Sequence, residues 1–246
     1  MIDKTAKIGT DTSIGKNTII EKDVTIGDNC TIGHHVVIHD GSVIGNNVRI
    51  DDFTVIGKQP MRAKRSIFKA EKLPPAKIGS DCLIGAHVVI YVGCTIAEHI
   101  LVADTAAIRE NVTIGEYTIV GRGVTVENFC KIGKKCKLET GCYITAYSEI
   151  EDYCFIAPKV TTTNDNFLGR TEERFKHFKG VTVRKGGRIG GGSVILPGIE
   201  IGEDAVIGAG SVVTRNVPPK KIYLGAPAKY FRDTPEEQLL ENQGWD

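Results

Sequence analysis

The sequence predicts an all-β fold, a parallel β-helix of about ten coils with two extended loops and a short C-terminal helix. Three observations carry this. Aliphatic residues recur at every sixth position, small or branched residues recur four places after each of them, and Gly, Asn and Asp gather between the two. Neither an α-helix (3.6 residues per turn) nor a plain strand (period two) repeats at six, whereas short strands bent by regular turns do.

The first run of the beat goes from Ile2 through Ile8, Ile14 and Ile20 to Ile56, ten hexads without a miss. The second spans fourteen hexads from Ile78 to Ile156, and the third six from Val183 to Val213. Three hexads make one triangular coil, and stacking at about 4.8 Å per coil gives a prism roughly 50 Å tall. Corners such as Ile26-Gly27-Asp28-Asn29 and Ile44-Gly45-Asn46-Asn47 hold residues that tolerate positive φ. The second inward position is filled by residues such as Thr18, Val24 and Val48, and all seven cysteines fall there. Cys30, Cys82, Cys94, Cys130, Cys136, Cys142 and Cys154 therefore read as small core filler, not as disulfides or metal ligands, and no metal is expected. The pattern leaves the hand of the coil open, since parallel crossovers are generally right-handed.

With 31 basic against 30 acidic residues in 246, the chain has no net field to draw in nucleic acid. No apolar run approaches the roughly 20 residues that span a bilayer, and the start Met1-Ile2-Asp3-Lys4 has neither a basic nor an apolar leader region. The expectation is a soluble, cytoplasmic protein without membrane or nucleic-acid partners.

The beat breaks at 57–77 and 163–182, two polar stretches rich in Lys and Arg, and loops this long in a compact fold usually carry function. If Thr162 is counted as one further hexad position after Ile156 and the first loop hides no hexad, fifteen hexads separate them. Fifteen is a multiple of three, so both leave from one edge, five coils or roughly 24 Å apart. The same edge receives Tyr91, Arg109 with Glu110, Asn128, and Thr145 through Tyr147. A charge pair, aromatics and amides at a corner suit a polar sugar better than a plain turn. After Val213 the beat ends. Residues 1–216 form the β-helix and 217–246 a C-terminal cap, in which Thr234-Pro235-Glu236-Glu237 resembles a capping box opening a short helix over the open end of the stack.

Two further stretches point to a family. Ile195-Leu196-Pro197-Gly198 and Ile207-Gly208-Ala209-Gly210-Ser211 lead to Gly225-Ala226-Pro227-Ala228-Lys229, and Ala103-Asp104-Thr105 and Thr163-Asn164-Asp165 stand in the middle of the chain. With the hexads, these resemble the hexapeptide-repeat acyltransferases, and among them the N-acyltransferases of nucleotide-linked amino sugars. The resemblance implies a left-handed coil, a homotrimer, acetyl-CoA or another acyl-CoA as co-substrate, and the amino group of a dTDP- or UDP-linked deoxysugar as acceptor. It implies that Ala209, Gly210 and Ala226 let the pantetheine arm run along the backbone, with Arg215, Lys221 and Lys229 at the CoA phosphates. In the second loop, Asn164 and Asp165 are expected at the sugar, Arg170 or Lys176 at the pyrophosphate, and His177 near the sugar.

Acyl transfer to an amine needs an acceptor that orients the nitrogen and takes up its proton. Asp104 and Glu110 are the candidates, and they lie one edge apart, so they face each other only where two chains meet. Of six histidines, His87 shares the edge of Asp104. An O-acyltransferase would depend on His87 as base, which is the first alternative; a non-catalytic β-helix scaffold is the second. A zinc site of three histidines is disfavoured, because His34 and His39 lack a third partner at suitable spacing.

Overall fold

A computed structural model describes residues 1–64 and 72–244. Almost every strand is two residues long and ends on the aliphatic of its hexad, as in Thr25–Ile26, Thr31–Ile32 and Val37–Ile38. The strands stack in three sheets of ten, twelve and ten, in parallel register throughout apart from one closing strand. Ile8 pairs with Ile26 and Ile26 with Ile44, so each ladder advances by one coil. The first face begins with Lys7–Ile8, the second with Ser13–Ile14 and the third with Ile19–Ile20.

The inward column is a continuous apolar core in which Ile20, Ile38, Ile56, Ile90 and Ile108 are wholly buried. The corners carry the expected backbone: Asn29, Asn47, Asp81 and Asn111 all hold φ near +55 to +59°. The seven cysteines are free and buried among the aliphatics. Burial pushes the thiols of Cys94, Cys130 and Cys142 up to about 12 and that of Cys82 to about 11. Burial shields all seven sulfurs from a reagent, and in these four the raised thiol also withholds the reactive thiolate, so a chromogenic disulfide reagent at pH 8 is expected to titrate none of the seven in the folded chain and all of them in guanidinium.

Three edges result, and the rest of the molecule is positioned by them. The edge from third to first face, here the loop edge, releases the first excursion after Val55–Lys58 and takes it back at Lys77–Ile78. It releases the second after Thr161–Thr162 and takes it back at Thr182–Val183. The third-face order places those departures five coils apart, so no hexad is hidden in the first loop.

The C-terminus departs from expectation. Lys221–Leu224 continues the second face and Lys229–Asp233 folds back antiparallel on it, so these strands close the stack. The segment after them forms two 3-10 turns, Glu236–Gln238 and Leu240–Asn242, not a capped helix. Thr234 does not cap: its hydroxyl donates to the Asp204 carbonyl at 3.1 Å, and the Leu240 N–H is taken by the Asp204 carboxylate. These contacts lay the segment along the edge between first and second faces, not over the open end. Among the described residues no helix is long and apolar enough to cross a membrane.

Candidate active site

Hexad arithmetic puts Tyr91, Arg109, Glu110, Asn128 and Tyr147 in successive coils of the loop edge, and the structure places them there. Tyr91 is buried, with Lys58 Nζ 5.5 Å and Arg109 Cζ 5.1 Å from its ring centre. Arg109 donates through Nε to Glu110 (2.9 Å) and through Nη1 to Glu127 (3.2 Å). Glu110 is 0% exposed, and Arg62, from the first loop, closes on its other oxygen at 2.9 Å. Burial alone pushes the Glu110 carboxyl up; its own backbone N–H and the Arg109 and Arg62 guanidiniums more than reverse this and leave it below the usual range. Both oxygens are engaged by guanidiniums, so Glu110 is a clamp for the first loop and cannot serve as the general base expected of it.

One coil on, Asn128 is 4% exposed and its Nδ2 has no partner. A buried amide left without an acceptor costs about 1–3 kcal/mol, so such a group in a native fold calls for an explanation. Its backbone carbonyl is occupied, accepting the Tyr147 N–H at 3.1 Å. Tyr147 stacks flat on Phe129 at 5.3 Å and remains 40% exposed, an aromatic shelf beside the amide.

The second loop is organised by a residue expected at the sugar. Asp165 accepts the N–H groups of Phe167 (2.8 Å) and Gly169 (3.0 Å) and pairs with Arg174 at 3.0 Å. Its carboxylate is thus spent on holding the loop. Arg174, absent from the expectations, lies 4.9 Å from the Phe175 ring and 5.2 Å from Phe178; the interleaved basic and aromatic run 174–178 was its signal. His177 and Lys176 both pair with Glu173, while Arg170 is exposed and Asn164 half-buried at the loop's root. Arg62 carried no such signal beyond the basic character of its loop.

The edge from second to third face, here the glycine edge, carries the other candidates. Asp104 Oδ1 accepts the Ala86 N–H at 2.9 Å, the same coil-to-coil bond that Asp28, Asp52 and Asp152 make, and its side chain is otherwise exposed. It therefore anchors the turn that presents His87, whose ring lies parallel to Phe53 at 5.0 Å, with Phe53 in turn stacked on His35 at 5.0 Å. Further along, Gly192 and Gly210 hold φ of +67 and +68°, and a Cβ on either would meet nothing within 4 Å. With exposed Ala209 and the turn Gly225–Ala228, anchored by the Gly225 N–H to Ser211 Oγ at 3.1 Å, they form an open ledge of small residues. Two of the cations expected there are placed otherwise. Lys221 pairs with Asp233 at 2.7 Å, and Arg215 follows the third-face strand Val212–Val213 and so lies at the loop edge; Lys229 is exposed on the closing strand.

The model "Bacterial transferase hexapeptide (six repeats)" matches residues 5–40 and 180–215. This is a hexapeptide-repeat chain. Residues 67–166 of the hexapeptide-repeat chain match the model "GMPPB C-terminal domain". Serine acetyltransferase of Buchnera aphidicola is 48% identical over 62 residues, 25% of this chain and only 23% of that enzyme. The fold of the hexapeptide-repeat chain is that of the Arabidopsis UDP-N-acetylglucosamine acyltransferase, with TM-score 0.68, 19% identity, and coverage of 99% of this chain and 75% of that one. A UDP-N-acetylglucosamine acyltransferase from Bacteroides fragilis gives TM-score 0.50 at 24% identity, covering 100% and 76%.

Proposed function

We propose that this chain is an acyl-CoA-dependent N-acyltransferase, with acetyl-CoA as the natural donor, acting on the amino group of a dTDP- or UDP-linked amino sugar. The observation that carries the reading is the loop edge: two excursions frame a cationic, aromatic corner in which the buried Asn128 amide lacks a partner. A sugar hydroxyl or a nucleotide carbonyl supplies the acceptor it needs, the Tyr147–Phe129 shelf suits a ring, and the second loop adds Asn164 at its root and an exposed Arg170. Acetyl transfer is the reaction of the serine acetyltransferase that shares part of this sequence.

The glycine ledge suits a pantetheine arm, because bare backbone can approach a ligand closely and offer N–H and C=O groups. In one chain the ledge and the loop edge flank the third face. That face points Ile19, Val37, Val55, Val89 and Val194 outward, where the first face presents Lys7, Lys77, Lys131, Glu149 and Glu200. Covering the apolar face with a second copy, as in a homotrimer, brings the loop edge of one chain against the glycine edge of the next and gives Asp104 access to the acceptor nitrogen. Asp104 then orients the amine through Oδ2 and takes its proton as the N–C bond forms and the C–S bond breaks. The second reading, O-acylation with His87 as base, draws on the exposed, flatly stacked ring of His87.

The test is to incubate acyl-CoAs with dTDP- and UDP-linked amino sugars and their hydroxyl counterparts, with mass detection. Amide formation on an amino sugar is expected; acylation of the hydroxyl sugars alone would overturn the proposal.

A further inference from the structure

The edge between first and second faces takes no part in the reading above, yet it holds the other side chain with buried, unpartnered polar atoms among the described residues. Arg188 stands at an outward strand position of the second face, and the C-terminal segment folds across it. Its Nη1 donates to Gln238 Oε1 at 3.2 Å, whereas Nε and Nη2 are buried with no partner. Burial holds the guanidinium below its usual range, with the Asp204 charge opposing. Asp204 is nevertheless not its counter-ion: both oxygens accept the Leu240 N–H, at 3.1 and 3.2 Å, and burial pushes the Asp204 carboxyl up.

A guanidinium with two buried N–H donors unmet and no carboxylate paired to it is among the costlier features a fold can keep. Nε–H and Nη2–H lie along one side of the guanidinium and point the same way, the geometry that meets two oxygens of one carboxylate. Beside them opens a cavity of about 240 Å³, walled by Phe155 and Leu240 and rimmed by Lys137, Gln243 and Glu237. It is below the usual size of a nucleotide or cofactor site, and its walls are partly apolar.

We propose that this cavity binds a small organic monocarboxylate, with its two oxygens on Nε and Nη2 of Arg188 and its apolar body against Phe155 and Leu240. The ligand supplies the charge that the fold withholds from Arg188. Its carbon skeleton separates it from inorganic phosphate, which would bring a second charge and no apolar surface.

The experiment is calorimetric titration and thermal shift of the full chain with sodium benzoate and with inorganic phosphate at equal ionic strength. Benzoate is expected to bind saturably and raise Tm by mass action, with phosphate at least tenfold weaker. Arg188→Met, which replaces an unpaired buried cation with an apolar chain of similar length, is expected to fold and to weaken benzoate about tenfold or more. Leu240→Trp keeps the guanidinium but fills the cavity, and is expected to weaken benzoate likewise. The proposal is overturned if benzoate gives no saturable heat, if either variant binds it as the parent does, or if phosphate binds as tightly.

Discussion

Glu110→Ala is expected to cost about 3 kcal/mol of stability and to free the first loop from the prism. Breaking a buried ion pair by deleting one partner leaves the other charge uncompensated, and here two guanidiniums lose it, Arg62 and Arg109. Arg109 keeps Glu127 at 3.2 Å, which tempers the loss, and Arg62 loses its 2.9 Å contact with Glu110. Chemical denaturation measures the first effect, and limited proteolysis after Lys58 and Arg62 the second. Glu110→Gln keeps the shape and removes the charge, which isolates the pH dependence. The folded carboxyl lies below its ordinary value of 4.5, so its contribution is fully present above that value and is lost as pH falls through the lower folded one. The stability gap between parent and Glu110→Gln is therefore expected to be constant near neutrality and to shrink only below about pH 4.5. A gap that widened with acidity, or faster cleavage absent from both variants, would show that Glu110 is not the clamp.

This clamp also marks where reading the sequence stops. The hexad count is topological: fifteen hexads return to the same edge whatever the side chains do, so the placement of both loops and of Tyr91, Arg109, Asn128 and Tyr147 followed from periodicity alone. Contacts made by the loops themselves have no period. Arg62 reaches Glu110 because the first excursion folds back toward the prism, and Asp165 turns inward because its own loop offers three donors within reach. The C-terminal segment shows the same limit. Thr234-Pro235-Glu236-Glu237 has the composition of a helix start, but a tertiary acceptor, the Asp204 carbonyl, takes the threonine hydroxyl that a cap would need. Local pattern decided the elements whose neighbours are their own repeats, and failed where a neighbour came from elsewhere in the chain.

Asp104→Asn and His87→Ala divide amine from hydroxyl acylation, and the geometry makes the first a clean substitution. Asp104 bonds the Ala86 N–H through Oδ1 alone, and an asparagine carbonyl serves that purpose equally well: Asn46 Oδ1 accepts the Asp28 N–H at 2.8 Å in the equivalent coil-to-coil bond. The turn and its His87 should therefore stay in place, with Tm within a degree or two of the parent, while the free oxygen that could take a proton becomes an amide. If the acceptor is an amine held by Asp104, kcat/KM is expected to fall about 10²–10⁴-fold in Asp104→Asn, the range of a lost acid–base group. His87→Ala would then cost much less, since its ring contributes stacking on Phe53. The reverse ranking assigns the proton to imidazole and the acceptor to the hydroxyl class. Shape is common to both enzymes; what separates them is which side chain on the glycine edge has a lone pair to spare, because a neutral amine needs only an acceptor for its departing proton and a hydroxyl needs a base strong enough to begin the attack.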